Sequence, residues 1–359
     1  MNRLYRSALY LAATAALGAA PLAAQTPAPA APTFTVGALV YGQFLYDLQD
    51  SVGAGGVSRG RQNQFSIQRA YFNAVARFSD GLYARVTTDI AASGTTNQFV
   101  RLKYAYAAYT PKGSALTYKF GLIHTPLLDW EEALWDYRMQ GTNVLDRYKY
   151  ATSADFGAGI DGKWNDDQVN AQLTFVNGEG YSGGTGDNRK DVQLRVSARV
   201  KNTDDNSRVG GLRLTGYVGF GKATGGGDRN RFVGIVSYRS KQLTLAGEFA
   251  STKDTVSPVA TDSLNLGGGP SATGRILSAF GVYHFSGSQV AAIARVDVLN
   301  PNTSISPDKQ TRFIGGLSYQ VDANLRLLAD LDLLSFEATP RNQTNATRQQ
   351  GLVQMQFTF

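Results

Sequence analysis

The rhythm of the connections constrains this chain more than any single motif. Sixteen short segments, from residues 34–48 at one end to 347–359 at the other, alternate apolar with polar side chains, and the links between them are short and long by turns. The short links carry ordinary turn chemistry: SDG at Ser79–Gly81, PKGSA at Pro111–Ala115, NDD at Asn165–Asp167, and DA within QVDANL. The long ones, Gln49–Arg61, His124–Ser153, Asn177–Arg189, Lys253–Ser271, Asn300–Lys309 and Ala338–Ala346, are rich in Gly, Asn, Ser and Thr and fall at the same end. A soluble sandwich has no cause to segregate its loops this way. Antiparallel strands in lipid do, because they must close on themselves to leave no unpaired edge. The pattern predicts an all-β fold: a 16-stranded antiparallel transmembrane β-barrel, both termini on the short-turn side and the long loops facing out of the cell.

A period of two places one residue set on each face of a strand. In LYARVTTDI, Leu82, Ala84, Val86 and Ile90 oppose Tyr83, Arg85, Thr87 and Asp89; in VQLRVSARV, Val192, Leu194, Val196, Ala198 and Val200 oppose Gln193, Arg195, Ser197 and Arg199. The charged set belongs to a wet interior, since each Lys or Arg on the lipid face near mid-bilayer costs about 2–4 kcal/mol. Phe78, Trp164, Tyr238, Tyr319, Phe357 and Phe359 fall near strand ends, where an interfacial girdle places aromatic rings. In the closing segment GLVQMQFTF, Val353, Met355, Phe357 and Phe359 are expected to face lipid, with Gln354 and Gln356 facing water.

The first residues, MNRLYRSALYLAATAALGAAPLAA, have the parts of a secretory signal: Arg3 and Arg6, an apolar stretch from Ala8 to Ala20, and small residues before Gln25. The expected division is a signal peptide over 1–24, a Pro/Ala-rich leader over 25–33 and one barrel domain over 34–359. No later apolar run reaches transmembrane-helix length, and there is no Cys to supply a disulfide or a thiolate metal site. The formal charge of +7, less Arg3 and Arg6, leaves +5 spread along the chain, so nucleic acid is not an expected partner.

With these strands goes a resemblance. The terminal Phe after an alternating strand resembles the signal read by the outer-membrane assembly machinery, which assigns that role to Phe357 and Phe359. The chain as a whole resembles a Gram-negative outer-membrane porin. More narrowly, FSIQRAYFNAVARFSDGLYARVTTD (Phe65–Asp89), KFGLIHTPLLDWEEAL (Lys119–Leu134) and ARVDVLNPN (Ala294–Asn302) resemble the phosphate-selective porin family, whose KTP appears here as HTP with His124 in place of Lys. The resemblance implies a homotrimer in the bacterial outer membrane, in contact with its lipids and lipopolysaccharide, passing small hydrophilic or anionic solutes without a cofactor.

The longest loop contains PLLDWEEALWDYR, with Leu127, Trp130 and Leu134 at helical spacing after Pro126, which predicts a short packed helix. In porins the third outward loop folds back into the lumen. The resemblance therefore implies a constriction loop whose acidic edge comes from Glu131 and Glu132, with Asp129 and Asp136 beside them; an exposed loop helix is the alternative. The facing basic wall draws on Arg69, Arg77, Arg85, Arg101 and Lys103, all on the inferred interior face. Neighbouring cations in a narrow passage focus the potential and concentrate anions. Ion pairing with Asp89, Asp161, Asp297, Asp330 or Asp332 is the alternative for each, and applies equally to Arg195, Arg199, Arg295 and Arg326. The expected function is passive diffusion with a modest preference for anions, phosphate among them. Two other classes stay open: an adhesion or structural barrel with a blocked lumen, and an outer-membrane hydrolase built on His124 or His284 with Ser286 nearby. VGFGKATGGGD lacks the Gly-Lys-Ser/Thr ending of a phosphate loop, and the two histidines form no metal cluster, so no cofactor is expected.

Overall fold

The structure, a computed structural model, describes residues 31–52, 58–93, 97–183, 188–222, 227–254, 272–304, 306–337 and 348–359. The expected signal peptide and most of the leader lie outside the described residues. The elements run β1 (Thr33–Asp47), β2 (Ser51–Val52), β3 (Ser58–Gly60), β4 (Asn63–Arg77), β5 (Leu82–Ser93), β6 (Asn97–Tyr109), β7 (Leu116–His124), α1 (Pro126–Leu134), α2 (Val144–Arg147), β8 (Ala154–Trp164), β9 (Val169–Val176), β10 (Asp191–Lys201), β11 (Gly211–Lys222), β12 (Asp228–Arg239), β13 (Leu243–Asp254), β14 (Ala272–His284), β15 (Val290–Asn300), β16 (Gln310–Gln320), β17 (Leu325–Phe336) and β18 (Arg348–Thr358). Among the described residues, sixteen strands form one closed antiparallel barrel in which each pairs with its sequence neighbours and β18 closes onto β1. The small β2–β3 hairpin sits in the first outward connection.

Closure answers the physical demand that no backbone donor be left open in hydrocarbon. At the seam Leu39 lies opposite Thr358 and Asp47 opposite Gln350. The last residue joins the ladder too: Phe359 N donates to Ala38 O at 3.0 Å and Ala38 N to Phe359 O at 2.7 Å. Phe357 and Phe359 are exposed on the outer surface with ring centroids 5.7 Å apart, at the short-turn end. Among the short turns, β8–β9 uses Asn165, Asp166 and Asp167 at φ of 53°, 52° and 64°, a left-handed run that Asn and Asp tolerate best after Gly.

The outer surface carries the expected apolar set. Val86, Val192, Leu194, Val196 and Val200 are exposed, whereas their strand neighbours Thr87, Asp89, Gln193, Arg195 and Ser197 are buried inside. Val353 and Met355 face out and Gln354 faces in. The interior departs from the uniformly wet lining read in the sequence. On β12 to β17 the inward residues Val233, Ile235, Ile276, Val282, Ile293, Ile314 and Leu328 are apolar and buried, because residues 126–150 fold into the lumen and cover them.

Val196 lies in mid-strand on the outer face. Val196→Arg is expected to destabilise the barrel in lipid vesicles by about 2–4 kcal/mol in a urea titration, the cost of a cation at mid-bilayer. An unchanged midpoint would mean that this face does not meet lipid.

Candidate functional site

The strand registers set the depth of each side chain. β7 is short and pairs with β6 only from Tyr118 to Leu122, so the chain leaves the wall at His124, part-way along the barrel. It then enters the lumen as α1, started by Pro126 at the first helical turn with Thr125 as N-cap. Leu127, Trp130 and Leu134 make the apolar underside expected from their spacing, and all three are buried against Val144, Leu145, Tyr217, Val233 and Ile235. The loop helix is a packed element inside the barrel.

Trp130 also meets three cations. The guanidinium of Arg195 lies 4.4 Å from its ring centroid, with Arg213 at 5.4 Å and Arg208 at 6.0 Å, close enough for cation–π attraction in a dry setting. Beyond α1 the chain is tied to the far wall by a series of polar bonds. Tyr137 Oη and Ser318 Oγ share a hydrogen bond of 2.6 Å, Gln354 Nε2 donates to Met139 O at 2.8 Å, and Arg295 Nη1 donates to Thr142 O at 3.0 Å. Arg147 of α2 meets Asp332 at 3.4 Å, where Arg312 already pairs at 2.6 Å. From the opposite mouth the connection between β10 and β11 folds up to meet the loop. Arg208 pairs with Asp129, and Arg239 bridges Asp205 at 2.8 Å and Asp136 at 3.5 Å while donating to Ala133 O at 3.0 Å.

The loop also reaches the near wall. Glu132 bridges Lys103 of β6 at 3.7 Å and Arg138 of the loop at 2.8 Å. Tyr71 Oη accepts from Lys103 at 3.3 Å, from Arg69 at 2.8 Å and from Arg138 at 3.5 Å. Lys103 is 2% exposed, Tyr71 7% and Tyr41 4%. Residues 126–150 thus reach across the lumen from the β1–β6 wall to the β10–β18 wall, and Tyr71, Lys103, Glu132 and Arg138 meet at the near wall.

The residues singled out in the sequence separate into distinct places. Arg69 and Arg101 line a cavity of 420 Å³ on the long-loop side of the constriction, together with Lys149, Arg229 and Arg231. Arg101 is paired with Asp89 at 2.8 Å, and Lys103 with Glu132 at 3.7 Å. Arg85 is tied to Asn73 at 2.6 Å and lies 3.2 Å from His124 Nε2, whose ring stacks on Tyr104 at 3.8 Å. Arg77, the last residue of β4, is exposed at the short-turn mouth beside the Tyr83 ring, away from the other four. On the loop, Asp129 pairs with Arg208, Asp136 with Arg239 and Glu132 with Lys103. Burial raises the Asp129 carboxyl, but Arg208 outweighs it and holds the group well below the usual carboxylate range. Glu131 corrects the sequence reading. It points away from the passage, into a closed space lined by Asn143, Val144, Glu248, Ser278 and Arg295, because adjacent residues of a helix face different sides and Glu132 takes the open one. Arg138, Arg208, Arg239 and Lys149 were missed because their loop positions acquire meaning only when distant strands come together.

Neither histidine has a side-chain hydroxyl partner among the described residues. His124 meets Arg85, Tyr104, Tyr106 and Asp129, and His284 contributes its backbone N–H to Gln242 O at 2.8 Å.

No family model and no curated protein sequence matches the chain. Solved structures do. An anion-selective porin from Comamonas acidovorans superposes with a TM-score of 0.65 at 12% identity, covering 91% of this chain and 100% of that one. Salmonella typhi OmpF, solved in complex with daunomycin, gives 0.63 at 13% over 91% and 98%, and the outer membrane channel DcaP of Acinetobacter baumannii gives 0.60 at 13% over 92% and 98%. At such identities the likeness establishes the fold: a 16-stranded transmembrane barrel of porin architecture, which belongs in the bacterial outer membrane.

Glu131 supplies a pH test of loop docking. Burial first, and then the charge of the nearby Glu248 carboxyl, push its carboxyl well above the usual glutamate range. A group that holds its proton more tightly when folded gives its full stabilisation below the unfolded value and loses it as pH rises through the raised one. Glu131→Gln should therefore melt above the parent at about pH 8 and level with it near pH 4, where an ordinary glutamate protonates. An equal difference at both values would contradict the buried placement.

Proposed function

We propose that the chain is a channel that catalyses no reaction and lets small hydrophilic solutes diffuse down their gradients across the outer membrane, with a modest preference for anions, phosphate among them. The observation that supports the preference is that two cations of the 420 Å³ cavity above the constriction, Arg69 and Lys149, have no carboxylate partner among the described residues, beside Arg101, Arg229 and Arg231, which do. Three of the cations have carboxylate partners, Arg101 with Asp89, Arg229 with Asp191 at 3.0 Å and Arg231 with Asp254 at 2.7 Å. Arg69 donates to Tyr71 Oη, and Lys149 has no side-chain partner among the described residues. Cations without a carboxylate partner, held between low-dielectric walls, raise the local concentration of anions. The guanidinium groups can grip phosphate or carboxylate at two points and release it. An anion gathered there meets the Lys103–Glu132–Arg138 level next, where two cations face one carboxylate.

A second reading, a structural or adhesion barrel with a blocked lumen, draws on the burial of Lys103 and Tyr71 where the loop touches the near wall. Electrical recording in a planar bilayer separates the two. In a potassium chloride gradient the parent should show a reversal potential of anion sign. Arg69→Gln combined with Lys149→Gln removes the two cavity cations that have no carboxylate partner and should abolish the preference. A parent that prefers cations refutes the charge assignment, and a parent that passes no current supports the blocked barrel.

A further inference from the structure

The closed space behind α1 holds polar groups that the passage does not use. Strand register brings its wall together at one level: Ile235 of β12 lies opposite Glu248 of β13, Glu248 opposite Ser278 of β14, and Ser278 opposite Asp297 of β15. Glu131 of α1 and Asn143, the residue before α2, line it from the lumen side. An acid in the middle of a membrane-spanning strand is costly and is normally matched by a partner. Both carboxylate oxygens of Glu131, Oε1 of Glu248 and Nδ2 of Asn143 are buried with no hydrogen-bond partner among the described residues. Glu131 is 4% exposed and Asn143 5%.

Arg295, the cation of this lining, is engaged elsewhere. Its Nε donates to Asp297 Oδ1 at 2.9 Å, its Nη2 lies 2.9 Å from Asp297 Oδ2, and its Nη1 donates to Thr142 O at 3.0 Å. The Glu131 and Glu248 carboxylates therefore face one space with no cation paired to either among the described residues. Neutral oxygens stand beside them. Asn143 is the N-cap of α2, where an Asn side chain ordinarily accepts from a backbone N–H of the first turn, yet it makes no such bond. A half-turn of its amide puts Oδ1 where Nδ2 stands. Ser278 Oγ gives its proton to Asp297 Oδ1 at 2.7 Å, which leaves its lone pairs for another partner.

The free space among these groups is about 10 Å³, room for one ion or one water. A water would satisfy some of the atoms and leave two carboxylates opposed in a dry site. Ligands that are all oxygen, two of them carboxylates, suit a hard divalent cation. Calcium takes about six to eight oxygens in a flexible geometry, a number that two glutamates bound through both oxygens reach with Asn143 and Ser278. Magnesium holds on to several of its waters, and this space has no room for them.

We propose that this space binds one calcium ion between Glu131 and Glu248, with Asn143 and Ser278 completing its shell, and that the ion fastens α1 to the β13–β14 wall. The proposal is independent of which solute the channel passes. The full chain in detergent at neutral pH is dialysed against EGTA and then given calcium chloride or magnesium chloride; bound calcium is counted by equilibrium dialysis, and melting is followed by the loss of β-sheet circular dichroism. The parent should melt higher in calcium than in EGTA, with a smaller rise in magnesium. Exposed acids also take up calcium, so the site is read as a difference: the parent should bind one more ion per chain than a variant carrying both Glu131→Gln and Glu248→Gln. That variant keeps the shape of both side chains and needs no cation. It should melt at or above the parent in EGTA and lose the response to calcium. Asn143→Ala, which leaves both carboxylates, should keep a response that needs more calcium to reach. A parent that melts alike in calcium and EGTA, the result expected of a carboxyl pair neutralised by a proton alone, would overturn the proposal whether or not the variants fold. Equal calcium bound by the parent and the double variant would overturn it too.

Discussion

Apolar packing inside the lumen is the interaction on which the rest of this structure depends. The barrel wall satisfies its own backbone by closing β18 onto β1, and that ladder would form around any interior. What shapes the passage is the burial of Leu127, Leu128, Trp130, Leu134, Val144 and Leu145 against inward-facing Tyr217, Val233, Ile235, Ile276 and Leu299. Each fully buried side chain of this size contributes about 1.5–3 kcal/mol relative to exposure. Together they offset the cost of ordering a long loop and of drying the polar groups beneath it. The charges then act on a scaffold already in place.

Drying has consequences for electrostatics. Arg195 and Arg213 are buried against the Trp130 ring, and Arg295 is buried beside Asp297 at 2.9 Å. The loop's own ion pairs, Asp129 with Arg208 and Arg147 with Asp332, are a poor source of net stability but a strong source of register, because a loop shifted by one position would leave these charges unmatched. Glu132 has a different position. It is partly exposed and shared between Lys103 and Arg138, so its bonds can exchange with water or a passing ion at smaller cost. The fixed part of the loop and the exchangeable part therefore sit on opposite sides of the same helix.

The barrel was legible in the sequence because its physics is local and repetitive. Alternation at Leu82–Ile90 and Val192–Val200 gives the faces, and the order of turns and loops gives the strand pairing. The helix at Pro126–Leu134 was legible for the same reason, as a spacing within one turn of chain. The lumen was not. Whether Glu131 or Glu132 faces the passage depends on where Glu248 and Lys103 stand on strands far away in sequence. The apolar interior of β12 to β17 departs from the wet interior read in the sequence, because the loop that covers it comes from residues 126–150. Arg69, Arg77, Arg85, Arg101 and Lys103 share an inward parity, and parity gives the face of a strand without the depth or the partner. Depth divides them: Arg69 and Arg101 line the cavity, Arg77 stands at the mouth, Arg85 meets His124 and Lys103 meets Glu132.

The docked loop should therefore control what the channel passes, more than any single charge on the wall. Single-channel conductance compares this directly: the full chain against one in which residues 126–151 are replaced by a short Gly-Ser link that lets His124 and Thr152 remain joined. If the docked loop sets the constriction, the shortened chain should fold to the same strand content and conduct several-fold more current per channel. An unchanged conductance, in a shortened barrel shown to be intact, would contradict the claim that the apolar docking of this loop shapes the passage.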